Sequence, residues 1–223
     1  MPCVSCSSAS PAERGRPASR GRRRLLLGAG ALLPVGLLPR RAWAGAQQYE
    51  ELADAVRGSL RSQIADAAPP VRHNLGPGER ESYERWLEEM SGRLAARLPE
   101  KRNRIDLLQC LDYECLRAGL DRQMVLGLIQ VESNFRKYAI SDAGARGLMQ
   151  VMPFWTSLIG DGDVHRLFEM RTNLRYGCVI LRHYVDTEQG DLYRALGRYN
   201  GSLGQAPYPL AVHKAWKRDW SYP

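Results

Sequence analysis

The chain has 223 residues, 44% of them hydrophobic, with 21 glycines and 13 prolines. That is enough for one buried core plus a small extension, and it excludes a fibrous or disordered composition. A formal charge of +8 at pH 7 would suit an anionic partner, yet residues 1–44 hold eight arginines against one glutamate and the remainder is close to neutral, so a nucleic-acid-binding role loses its support.

In chain order, residues 1–44 comprise an arginine-rich start ending at Arg24, an apolar run from Leu25 to Leu38 and the small-residue pattern Ala42-Trp43-Ala44. These are the three parts of an export signal peptide. The run is interrupted by Gly28, Gly30, Pro34 and Gly36 and is shorter than the roughly 20 residues of a spanning helix, so no permanent membrane anchor is expected. Arg22-Arg23-Arg24-Leu25-Leu26 resembles the twin-arginine export signal. The expected mature chain starts at residue 45, in the periplasm of a Gram-negative envelope. Cys3 and Cys6 would leave with the peptide. Cys110 and Cys115 face different sides of one predicted helix and should not bridge each other; either could link to Cys178, or all three could be small buried hydrophobes.

Residues 45–100 read as an N-terminal helical region. Gln47 to Ala65 has apolar residues at helical intervals, residues 67–81 form a linker carrying Pro69, Pro70, Gly76, Pro77 and Gly78, and Ser82 to Leu98 is a helix with Trp86, Leu87, Met90 and Leu94 on one face. Pro99 closes it. Residues 101–223 form the main domain. A helix from about Asn103 to Ala118, with Ile105, Leu108, Leu111 and Leu116 as its buried side, stops at Gly119. Asp121 is an N-cap, Leu120 and Val125 stand at hydrophobic-staple positions, and Met124 to Glu132 is short and strongly apolar. Gly147 to Met152 is a tight extended connection before a helix beginning at Pro153. Further helices are expected at Thr172–Thr187, Asp191–Tyr199 and Pro209–Trp216. With few alternating patterns the fold class is mainly α.

Glu132 carries the chemical information. Leu128 and Ile129 share its helical face, and the segment is nearly free of other charge. A carboxyl there is partly desolvated, which raises its pKa and lets it hold a proton for delivery to a leaving oxygen.

The stretch from Gly127 to Pro153, GLIQVESNFRKYAISDAGARGLMQVMP, resembles the catalytic segment of the soluble lytic transglycosylase family, a relative of goose-type lysozyme. The shared pattern is Glu132-Ser133, Ser141, Gly144-Ala145, Gly147, Leu148-Met149-Gln150, Val151, Met152 and Pro153, followed later by the Tyr199-Asn200 segment. The resemblance covers roughly Leu107 to Trp216. It implies a lysozyme-like helical domain with a substrate groove and cleavage of the glycan strands of peptidoglycan. It implies Glu132 as acid and then base, with Tyr199 hydrogen-bonding and orienting that carboxyl and Asn200 shaping the same wall. Gln150, Ser141 and Ser133 would contact substrate, and Met149 and Met152 would line the groove. A turn built from Gly144 and Gly147 would let backbone approach the ligand.

The segment offers no obvious second carboxylate: Asp142, Asp161 and Asp163 read as turn residues. Most glycosidases use two, so a single acid suits substrate assistance and a 1,6-anhydromuramic product. A hydrolytic muramidase of goose-lysozyme type and a cell-wall-binding scaffold of an envelope machine are the alternatives. The four histidines lack metal-ligand spacing, so neither metal nor cofactor is expected.

Overall fold

The computed structural model describes residues 47–65 and 75–223. Residues 1–44, read above as a signal peptide, and most of the expected linker lie outside that range. Among the described residues the structure is helical, with two isolated β-bridges, Ile140 with Arg146 and Arg146 with Val151, and no regular strand.

After an extended segment, α1 runs over Asp54–Ala65 and packs on α5 and α6. The second helix, α2 (Pro77–Leu94), begins inside the stretch read as linker. Pro77 occupies its first turn, and the Glu79 carboxylate accepts from the Gly76 N–H at 3.1 Å. Proline's fixed φ and missing N–H suit a helix start, so the residue that signalled a linker opens the helix. Trp86, Met90 and Leu94 are buried as expected. The Arg122 guanidinium lies 3.8 Å from the Trp86 ring centroid and donates to the buried Asp112 at 2.6 Å, tying α2 to its two successors. Arg93 at the end of α2 donates to the carbonyls of Asp219 and Ser221, so α2 is bound to the C-terminal turn.

Helix α3 (Lys101–Ala118) ends at Gly119, whose φ of 62° provides the left-handed cap. Its buried stripe is Leu107, Leu108, Cys110, Leu111 and Cys115. Leu116, expected inside, is 58% exposed. It sits between Cys115, which faces α6, and Arg117, which bonds the buried Glu114 at 2.9 Å, so the helix turns it outward.

Helices α4 (Arg122–Glu132) and α6 (Met170–Thr187) are the central pair of buried elements. Met124 to Ile129 and Asn173 to Leu181 are buried without a break, the first run wholly apolar and the second including the polar Asn173 and Arg175. Cys115 and Cys178 meet between α3 and α6; both are free and buried, and burial pushes the Cys115 thiol well up. The remaining elements are α5 (Phe154–Ile159), a 3₁₀ turn at Val164–Phe168, α7 (Leu192–Tyr199), α8 (Pro207–Ala215) and a π turn at Trp216–Trp220. Helix α4 lies against α8 and the π turn. Gly127 makes that approach possible, because a Cβ there would stand 2.8 Å from the Trp216 nitrogen. Backbone cannot rotate away from such a clash. Gly127→Val is expected to lower stability by about 2 kcal/mol, read as a shift of the urea midpoint at unchanged m-value.

Candidate active site

The position of Glu132 follows from α4 and from what ends it. Asp121 caps the helix by accepting from the N–H groups of Gln123 and Met124 at 2.7 and 3.0 Å. The apolar segment then sinks into the core and delivers Glu132 at its last position, 1% exposed. Beyond it the chain reverses through Asn134 and Phe135, with φ of 49° and 64°. Consecutive left-handed non-glycine residues are strained and persist only when neighbours hold them. Here Phe135 packs edge-on to Trp220 at 5.3 Å, and Arg97 donates to the Asn134 side chain at 2.9 Å while lying over both rings. The Ser133 hydroxyl donates to the Leu148 carbonyl at 2.7 Å, fastening the acid's helix end to the glycine-rich loop.

Two buried tyrosines surround the carboxyl. Tyr208, in the first turn of α8, donates its hydroxyl to Glu132 Oε1 at 2.5 Å. Tyr199, the last residue of α7, instead donates to the Met149 carbonyl at 2.7 Å. Burial raises the phenol pKa of each well above its usual value, with the Glu132 charge the next cause in both, so both stay protonated donors. The resemblance assigned the hydrogen bond on Glu132 to Tyr199; the bond seen here comes from Tyr208, because α8 lies directly on α4. The sequence clue is Pro207-Tyr208-Pro209: the helix begins at Pro207, and starting it at Pro209 leaves Tyr208 outside.

The loop after the acid is a compact hydrogen-bonded unit. The Ser141 N–H donates to the Ala145 carbonyl at 3.0 Å, and the Ser141 hydroxyl accepts in return from the Ala145 N–H at 3.0 Å. Arg146 and Val151 exchange both backbone bonds around the turn 147–150. Gln150 is buried with φ of 50°, its amide donating to the carbonyls of Gly147 and Ala139 at 2.8 and 3.2 Å. Met149 is fully buried against Gly177. Asn173 organises this turn from α6: its oxygen accepts from the Met149 N–H at 2.8 Å, and its nitrogen donates to the carbonyls of Arg146 and Leu167 at 2.9 and 2.8 Å. The close approach permitted by Gly147, with φ of 78°, is to this asparagine.

The residues singled out in the sequence thus divide. Ser133, Met149 and Gln150 are buried in the walls, whereas Ser141, Met152 and Asn200 are partly exposed. Asn200 donates to the Ser202 hydroxyl at 2.9 Å. Asp161 accepts from the Asp163 N–H and from Arg166, Asp163 accepts from the His165 N–H, and Asp142 is exposed. A separate cavity between α1, α5 and α6 contains Arg166 and Arg175. These pair with Asp161 and the buried Glu114, so their charge is already answered, and the carboxyl that meets two phenols lies elsewhere.

A buried acid at a helix end, set against a glycine-turned loop in an all-helical frame, belongs to the lysozyme-like class of helical domains. Residues 109–215, just under half of the chain, match the family model of the transglycosylase SLT domain. The transglycosylase of Enterobacteria phage PRD1 is 36% identical over 88 residues, covering 40% of this chain and 32% of the relative. The membrane-bound lytic murein transglycosylase C of Mannheimia succiniciproducens is 57% identical over 37 residues, 17% of this chain and 10% of the relative. The same figures hold for its namesake in Haemophilus influenzae. The chain therefore spans about a third of the first of these curated relatives and a tenth of the others.

Proposed function

We propose that this chain is a lytic transglycosylase that cleaves the bond between N-acetylmuramic acid and N-acetylglucosamine in peptidoglycan, with Glu132 as its single acid and base. The observation that carries the reading is the Glu132 carboxyl, buried at the end of α4 within the family span and hydrogen-bonded by Tyr208. Removal from water favours the neutral, proton-holding form. That proton passes to the glycosidic oxygen as its bond to C1 of muramic acid breaks. The developing cation is stabilised by the sugar's own N-acetyl oxygen. The Glu132 carboxylate then takes the proton of the 6-hydroxyl as O6 bonds to C1, which closes the 1,6-anhydro ring without consuming water.

Between these transfers Glu132 is charged, and the Tyr208 hydroxyl is placed to stabilise that form. Ser141, Met152 and Asn200 present partly exposed groups to the glycan, while Ser133, Met149 and Gln150 hold the wall. Residues 101–223 form the catalytic domain with 45–100 as an accessory region, and residues 1–44 export the chain to the periplasm. Among the described residues no helix is long and apolar enough to cross a membrane.

The reading is tested by release of soluble muropeptides from purified sacculi, wild type against Tyr208→Phe. Losing one hydrogen bond to a charged group is expected to cut kcat by about tenfold with KM little changed. An unchanged kcat would remove Tyr208 from the mechanism, and a wild-type chain that releases nothing would remove the activity.

A further inference from the structure

The segment ahead of α1 lies on residues that the proposed function needs. Gln47 is 3% exposed although it stands outside any helix and outside the family span. Its side-chain oxygen accepts from the indole N–H of Trp155 at 2.9 Å and from the backbone N–H of Met152 at 3.3 Å. The same amide lies against Tyr199, whose own environment includes Glu132. Tyr49 packs edge-on to Phe154 at 5.7 Å, and Glu50 pairs with Arg198 at 2.6 Å, next to Tyr199. Residues 47–50 thus cross Met152 to Trp155 and are pinned to the end of α7.

The chemistry of the contact is specific. A backbone N–H and an indole N–H, from Met152 and Trp155 three residues apart, converge on one amide oxygen, which satisfies that buried acceptor, while the amide nitrogen is buried without a hydrogen-bond partner and so adds nothing to hold the segment down. Peptidoglycan sugars carry the same group as an N-acetyl carbonyl. Glu132 is 1% exposed, so a glycan can reach it only if something withdraws. Tyr199 and Tyr208 are fixed by hydrogen bonds within the core, whereas residues 47–50 belong to no element among the described residues and are held through the side chains of Gln47, Tyr49 and Glu50.

We propose that residues 47–50 are an autoinhibitory strap, in which the Gln47 amide imitates an acetamido group and must leave before a glycan strand can occupy the groove beside Glu132. The inference rests on the reading of this site as a glycan-cleaving one. With export processing at residue 44, Gln47 would be the third residue of the mature chain, and its release would cost little order elsewhere. A strap that is open about one-tenth of the time weakens apparent substrate affinity about tenfold.

The test compares a chain starting at residue 45, the same chain with Gln47→Ala, and a chain starting at Glu51. Calorimetry measures their affinity for triacetylchitotriose in a Glu132→Gln background, and active forms are assayed for muropeptide release at low substrate. The chain from Glu51 should bind the trisaccharide and release muropeptides about tenfold better, and Gln47→Ala roughly threefold better, through KM. Equal affinities and rates in folded chains overturn the strap, as does trisaccharide binding by none of them. If the chain from Glu51 does not fold by circular dichroism, the Gln47→Ala comparison decides. If no active form releases muropeptides, the transglycosylase reading falls, while the ratio of trisaccharide affinities still decides the strap.

Discussion

Glu132→Gln should fold like the parent chain and lose glycan cleavage by roughly 10²–10⁴-fold or more, the usual share of a general acid. The substitution keeps shape and keeps an oxygen for Tyr208 to donate to, yet an amide can neither deliver nor recover the proton. Stability should fall little, since the site is 1% exposed and a neutral amide carries no charge to desolvate. Turnover on sacculi and a thermal melt, measured on one preparation, separate the two effects. A variant retaining near-parental turnover would show that another group supplies the proton.

Asn173→Leu should be the most damaging single change to the fold around the site. Leucine fills nearly the same volume but strands the buried N–H of Met149 and takes the asparagine from the carbonyl of Leu167, while the Arg146 carbonyl keeps its bond from the Val151 N–H. Each buried group left unsatisfied costs about 1–3 kcal/mol, so a loss of roughly 3 kcal/mol is expected. Because the asparagine holds the turn 147–150, the damage should extend to function by a route distinct from Glu132→Gln: a lower melting temperature and a higher KM together. A melt within a degree of the parent would mean that the turn is held by its own backbone bonds.

The fold was largely readable because its strongest signals are local. Asp121 caps α4 as its position suggests, Gly119 ends α3 in the left-handed region, and Trp86, Met90 and Leu94 mark a buried face. Glu132 stands out for the same reason: a carboxyl closing the apolar run that starts at Met124. What escaped depends on partners far along the chain. Asn173 looks like an ordinary polar helix residue, and its partners Met149 and Arg146 are 24 and 27 positions away. Tyr208 meets Glu132 across 76 residues, and its helix starts earlier than a reading from Pro209 allows. Pro77 was ambiguous because proline marks both linkers and first helical turns. Leu116 shows the reverse error, an apolar residue assigned inward on hydrophobicity although its neighbours Cys115 and Arg117 direct the helix otherwise.

The most direct test of the central claim is mass spectrometry of the muropeptides that the chain from residue 45 releases from purified sacculi. Anhydromuramic ends, one water lighter than reducing ends and absent with Glu132→Gln, are the predicted result. Reducing ends would contradict the single-acid account, because they require an attacking water and a group to activate it.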